Sequence, residues 1–192
     1  MFNFIKNLNR SVLSDESIKR YNKKGLLIEG PIRENALQPN SIDVTLSQFV
    51  KRLDYDNGEI IDVKKEIKYS NYVFDDSIII DPHEFVLMST NEIFNIPNGI
   101  LAFICGRSSI ARLGIQCEQA GLIDSGFRGT ITLEIQNQSN NPIKLYRNMR
   151  IAQVYFFKAE YANIIYGLEK FSKYNGQVEA TGSRIHLDKE LQ

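Results

Sequence analysis

Thr130-Ile131-Thr132-Leu133-Glu134-Ile135-Gln136-Asn137 alternates with period two. Ile131, Leu133 and Ile135 fall on one side of an extended chain, and Thr130, Thr132, Glu134 and Gln136 on the other. This is the pattern of a β-strand with one apolar face and one polar face. Glu134 therefore stands on the polar face of a rigid element, either as a solvated strand glutamate or, if that face lines a pocket, as a well-mounted general acid/base.

Immediately upstream, Ala120-Gly121-Leu122-Ile123-Asp124-Ser125-Gly126-Phe127-Arg128-Gly129 is turn chemistry, holding the Asp124 carboxylate in a loop whose glycines allow close approach of a ligand. Further upstream, Gly106-Arg107-Ser108-Ser109-Ile110-Ala111-Arg112-Leu113-Gly114 reads as a short helix between glycines, with Ser108 or Ser109 as its N-cap. Ser108 and Arg112, four apart, share a face beside Arg107, and together they offer donors suited to phosphate oxygens.

Outside this region, short strand-like runs broken by Gly, Pro, Asn and Asp cover Ser41–Val50, Ile60–Val63, Asn71–Ile80, Glu84–Ser89, Ile100–Cys105 and Asn148–Phe157. Asp56-Asn57-Gly58, Pro97-Asn98-Gly99 and Asn140-Asn141-Pro142 supply turns between them. Such spacing predicts an all-β sandwich or barrel. One helix precedes it: Ser14 caps, Asp15 and Glu16 favour the positive end, Leu13 and Ile18 occupy staple positions, and Lys23-Lys24-Gly25 closes it. Asp43, in Asn40-Ser41-Ile42-Asp43-Val44-Thr45-Leu46, is assigned to structure.

With 192 residues, 22.0 kDa and 43% hydrophobic side chains, the chain supports one well-buried core and is too short for two ordinary domains. Lys+Arg 23 equals Asp+Glu 23, so no general electrostatic footprint for nucleic acid or anionic membrane exists. Two cysteines and two histidines, none at metal-ligand spacing, and no H-x-E or P-C-x-x-C pattern exclude the zinc-dependent nucleobase deaminase signature. The low cysteine count fits a reducing, cytoplasmic setting, and the sequence has neither a long apolar run nor a signal-peptide apolar region. The first fourteen residues read as a terminal extension.

Taken together, Arg107 to Gly114, Ala120 to Phe127, Ile131-Thr132-Leu133-Glu134-Ile135, Pro142-Ile143-Lys144-Leu145-Tyr146 and Ile151-Ala152-Gln153 resemble the core of the dCTP deaminase and dUTPase superfamily. They are most similar to the dCTP deaminases, over roughly Ser41 to Arg184. Lys173-Tyr174-Asn175-Gly176-Gln177, followed by Gly182-Ser183-Arg184-Ile185, resembles the family's C-terminal segment that folds over the nucleotide.

The resemblance implies a mainly β, distorted barrel or jelly-roll-like dUTPase fold. Residues 1–157 would form the N-terminal helix and β domain, and residues 158–192 a tail closing over the nucleotide. It implies zinc-independent hydrolysis of dCTP to dUTP, continuing to dUMP and diphosphate. Gly121, where deaminase-only bacterial enzymes carry histidine, is similar to the bifunctional type. Glu134 would shuttle protons; dUTPases usually carry an apolar residue there. Ser108 and Arg112 would polarise water or ammonia, Arg112 also keeping Glu134 charged, while the Ala120 carbonyl orients the water.

In the same resemblance, Arg107, Ser108, Ser109 and Lys173 would grip the triphosphate as its magnesium complex. Asp124 would meet the sugar 3′-OH or act as base for a second water, and Tyr166, Tyr174 and Gln177 would complete the pocket. Similar proteins are homotrimers with sites between subunits. Cys117-Glu118-Gln119 replaces the family's His-x-Thr, and the tail Val178-Glu179-Ala180-Thr181-Gly182 lacks its usual proline. Competing readings are a dUTP diphosphatase without deaminase activity and a non-catalytic nucleotide-sensing or protein-binding module.

Overall fold

The computed structural model describes residues 11–117, 120–168 and 172–192. The expected N-terminal extension before residue 11 and the Glu118–Gln119 departure lie outside them.

Helix α1 (Asp15–Asn22) begins where its cap signals put it. The Ser14 side chain accepts from Ser17 N, Asp15 and Glu16 occupy the first turn, and Lys19 and Arg20 the last. Leu13 and Ile18 are both buried, so the staple is in place.

Thirteen strands follow among the described residues: β1 (Leu27–Ile28), β2 (Ser41–Leu53), β3 (Tyr69–Val73), β4 (Ser77–Ile80), β5 (Phe85–Thr90), β6 (Phe94–Asn95), β7 (Ile100–Gly106), β8 (Ile115–Gln116), β9 (Leu122–Ile123), β10 (Arg128–Gly129), β11 (Thr132–Asn137), β12 (Ile143–Tyr146) and β13 (Arg150–Lys158). A single short helix, α2 (Ser108–Ala111), interrupts them after β7. Their main sheet runs β8-β11-β5-β2-β13-β7-β9, with β3 also paired to β2; β1-β6-β10 and β4-β12 form two smaller sheets. All the pairings are antiparallel.

The long strand β2 explains the curl. Residues 41–45 pair with β13, whereas residues 46–53 pair with β5 and β3, and the register slips between Leu46 and Val50. A strand bent by such an irregularity hands the sheet from one wall to the other. Its first seven residues are buried on both faces. Ile42, Val44 and Leu46 enter the hydrophobic core. The alternate residues are polar, and burial requires each to be paired: Thr45 Oγ1 donates to Glu92 Oε1 at 2.8 Å, Ser47 and Ser89 share a hydrogen bond, and Asp43 meets two arginines.

Two strand expectations change. Ile60–Val63 is an exposed loop, with Ile60 87% exposed, because among the described residues no strand pairs with that apolar run. Asn71–Ile80 divides into β3 and β4, which join different sheets. Among the described residues no helix is long and apolar enough to cross a membrane.

Candidate active site

In β11, Leu133 and Ile135 are fully buried, while Thr132, Glu134 and Gln136 lie half-buried on the opposite face. Thr130 departs from the expected pattern: it is buried and precedes the strand, its N–H bonded to Gln177 O. Directly across on β5, Leu87 faces Glu134 and Phe85 faces Gln136, and paired residues share a face. Glu134 thus stands over an apolar floor rather than in a solvated polar sheet.

The floor belongs to a cavity of about 610 Å3, within the range of small-molecule sites. Ala120, Asp124 and Glu134 all line it, together with Tyr166, Tyr174 and Gln177. Six side chains or backbone positions separated by up to 57 residues, singled out on sequence grounds, therefore meet in one place.

The turn beneath them is held by its backbone. Phe127 N donates to Asp124 O, Gly126 N to Ile96 O, and Ile96 N to Phe127 O. Gly126 has φ +96°, and a Cβ there would run into Ile165 and the Tyr166 carbonyl, so only glycine admits this approach. The Phe127 and Tyr166 rings lie 6.1 Å apart, tilted by 42°.

The chain beyond β13 returns to line the cavity. Tyr174 N donates to Tyr166 Oη (3.1 Å), Ser183 N to Tyr69 Oη (3.0 Å), Arg184 N to Tyr174 Oη (3.0 Å) and Thr181 N to Thr132 Oγ1 (3.0 Å). Gln177 Nε2 donates to Thr130 O at 2.7 Å, returning the bond that Thr130 N makes to Gln177 O. Its Oε1 is buried with no partner among the described residues, and the residue lines the cavity. Burial pushes the Tyr166 and Tyr69 phenols above their ordinary range, so both remain neutral in the folded chain at ordinary pH.

The residues expected to grip phosphate are a different matter. Arg107, not a serine, is the N-cap of α2, because it leaves β7 extended and its carbonyl accepts from Ile110 N and Ala111 N. Ser108 and Ser109 are the first helical residues, and with Arg112 at the C-cap they are exposed. None of these four lines the cavity of their own chain, and neither does Lys173, whose Nζ donates to Asp188 Oδ1 at 2.6 Å. The described lining carries Asp124 and Glu134 and no Lys or Arg. Among the described residues no group of three or more His, Cys, Asp or Glu could hold a metal ion.

Other lining residues, Thr132 and Tyr69 among them, are not candidate site residues in the sequence. Thr132 stands two residues before Glu134 on the same strand, so period two alone signals it. Tyr69 reaches the site only because β3 pairs with the far end of β2, and nothing local announces that.

This β architecture and carboxylate cavity define a class. Residues 12–159 match the family model described as dCTP deaminase-like, and the chain belongs to that family. Among its relatives, a protein named "dCTP deaminase, dUMP-forming" from Hydrogenobaculum sp. (strain Y04AAS1) is 42% identical over 177 residues, covering 92% of this chain and 97% of that one. The protein of the same name from Aquifex aeolicus (strain VF5) is 39% identical over 182 residues, covering 94% and 98%. A crystal structure of 2′-deoxycytidine 5′-triphosphate deaminase from Agrobacterium tumefaciens shares the fold with a TM-score of 0.63 at 18% identity. The match covers 79% of this chain and 49% of that one, so this chain spans about half the length of that neighbour.

Proposed function

We propose that the chain hydrolyses dCTP to dUTP and ammonia, then dUTP to dUMP and diphosphate. The observation that carries this reading is the convergence of Glu134, Asp124 and the Ala120 backbone on one cavity under a tyrosine- and glutamine-bearing tail. The names of the relatives, at about 40% identity over nearly the whole chain, agree with both steps.

In the first step a water attacks C4 of cytosine while ring N3 takes a proton. The tetrahedral intermediate then expels the amine, which needs a second proton. One carboxylate within reach of water and base moves all of them, and Glu134 is that group. The apolar floor of Phe85 and Leu87 keeps bulk water from competing. The Ala120 carbonyl orients the attacking water, with Ser108 and Arg112 polarising water or departing ammonia. In the second step Asp124, beside the sugar, activates the water that releases diphosphate. A dUTP diphosphatase without the first step, or a module without catalysis, leaves Glu134 with no chemical task.

The described lining offers a triphosphate two carboxylates and no cation. The reading therefore includes a homotrimer, in which Arg107, Ser108, Ser109 and Arg112 of one copy close the cavity of another, while Lys173 comes from the tail. Magnesium fits this donor set as the companion of the triphosphate. Mg2+ takes phosphate oxygens and water more readily than an all-protein cage, and the guanidinium, hydroxyl and ammonium donors grip such a complex from outside. Bound there, it neutralises part of the phosphate charge. Both cysteines are thiols rather than a disulfide, which agrees with a cytoplasmic setting.

The test is chromatography of products formed from dCTP with magnesium, together with ammonia release. Wild type should yield dUMP, and Glu134→Gln should lose about 10²- to 10⁴-fold in deamination. A Glu134→Gln protein that deaminates like wild type overturns the reading.

A further inference from the structure

Asp43 lies on β2, two strands away from β7, and is 3% exposed. Its Oδ2 forms an ion pair with Arg107, 3.1 Å from Nε, and accepts from Arg150 Nη1 at 3.0 Å. Arg150 Nη1 also donates to Asn35 O, and Arg107 Nη1 reaches Arg150 O at 3.4 Å. The cluster ties the start of β2, the end of β7 and the start of β13 together at the root of α2.

Two features separate this arrangement from an ordinary buried pair. The first is charge: one carboxylate faces two guanidinium groups, so the cluster carries one positive charge in excess. Both arginines keep an outlet to solvent, their side chains being 24% and 42% exposed. A surplus cation at the surface beside Ser108 and Ser109 attracts an anion. The second is direction. A guanidinium is planar, and engaging Nε on one edge fixes where the remaining N–H groups point. Arg107 is thus held at Nε by Asp43 and at Nη1 by Arg150 O, while its side chain stays 24% exposed.

We infer that Asp43 is a positioning residue for the phosphate clamp: it orients Arg107 so that the exposed part of the guanidinium meets the triphosphate, and it acts through Arg107. This rests on the proposed function and deepens it. Asp43 touches no nucleotide. Its contribution is to remove the rotational freedom that an exposed arginine would lose on binding, and a fixed fork binds phosphate better than a free one.

The experiment uses the full chain and two readouts: steady-state kinetics on dCTP, and calorimetric binding of inorganic tripolyphosphate. Asp43→Asn should raise KM and weaken tripolyphosphate binding by about tenfold, as expected for loss of one charged hydrogen bond, with kcat within about threefold of wild type. In an Arg107→Ala background Asp43→Asn should change neither quantity further, because the residue it positions is gone. A merely structural aspartate would instead lower the amount of folded protein and leave both constants unchanged in what remains. Unchanged tripolyphosphate binding in Asp43→Asn, effects that multiply in the double variant, or a wild type that does not bind tripolyphosphate overturn the inference. If Asp43→Asn fails to fold, Arg107→Lys, which keeps the charge and lacks the planar fork, takes its place: loss of about tenfold supports the role, and wild-type binding overturns it. If wild type turns over neither dCTP nor dUTP, the proposed function falls, and the tripolyphosphate titration still decides the role of Asp43.

Discussion

Replacing Gly129 by alanine tests how the tail is set over the cavity. Gly129 has φ +139°, and a Cβ added there would lie 2.6 Å from Gln177 O and 3.0 Å from Gln177 N. One of the two chains must move. β10 is paired residue for residue with β6, through Arg128 to Asn95 and Gly129 to Phe94, whereas the tail is held by separate hydrogen bonds, so the tail gives way. The two shortest bonds between Thr130 and Gln177, at 2.9 and 2.7 Å, are lost first. At about 1 kcal/mol each they make about 2 kcal/mol, roughly thirtyfold in the docked-to-undocked ratio. Backbone strain at φ +139° adds about 1–3 kcal/mol, but to the whole fold rather than to docking.

Limited proteolysis separates the two costs. Cleavage beyond β13 should quicken about thirtyfold in Gly129→Ala, turnover of dCTP should fall, and thermal unfolding should show only the strain. Gly176→Ala is the control, since φ there is +78° yet nothing lies within 4 Å of the added Cβ; it should share the strain and spare docking. A Gly129→Ala tail as resistant as wild type, with undiminished turnover, would refute the reasoning that this close approach aligns Gln177.

Asp188→Asn frees Lys173 from its 2.6 Å partner. The pair is partly exposed and worth up to about 1 kcal/mol, so tripolyphosphate should bind up to about fivefold tighter, read by calorimetry; weaker binding would mean that the pair preorganises Lys173. Inactive Glu134→Gln and Arg112→Ala proteins, mixed and allowed to exchange subunits, should regain deaminase activity in product assays, and a mixture that stays dead argues that one copy supplies both groups. Tail docking should persist to about pH 10 and fail above it. The bond to Asp188 raises the Lys173 pKa above its ordinary 10.5, and burial raises that of Tyr166 above 10.0. Folded values above unfolded ones give stability that is whole below the unfolded pKa and lost as pH climbs through the folded pKa. Proteolysis followed from pH 8 to 11 reads this directly.

The site was legible where chemistry follows local pattern. Period two fixed which side of β11 carries Glu134, and the glycines of Ser125–Gly129 announced a turn that a neighbouring backbone approaches. Ser14 named its own helix, because a cap is a contact between residues three apart. Local pattern failed where partners are distant. Ile60–Val63 has strand composition, but composition does not supply a neighbouring edge. Arg107 takes the cap position expected of a serine because β7 hands the chain over already extended. Asp43 was read as structural, and its partners sit 64 and 107 residues on, a distance no spacing rule spans. The gap between the residues expected to grip phosphate and the cavity of the same chain is likewise invisible in the linear order.

The strap over the cavity is gripped by its peptide groups: the hydroxyls of Tyr166, Tyr69, Tyr174 and Thr132 all receive main-chain N–H bonds. Side chains such as Val178 and Glu179 point outward and share in none of this. Alanine at Val178 or Glu179 would pass in silence, while proline at Tyr174, Thr181, Ser183 or Arg184, which deletes the donor itself, would find these four rungs. The strap can accordingly drift in composition between relatives and still fasten in the same place.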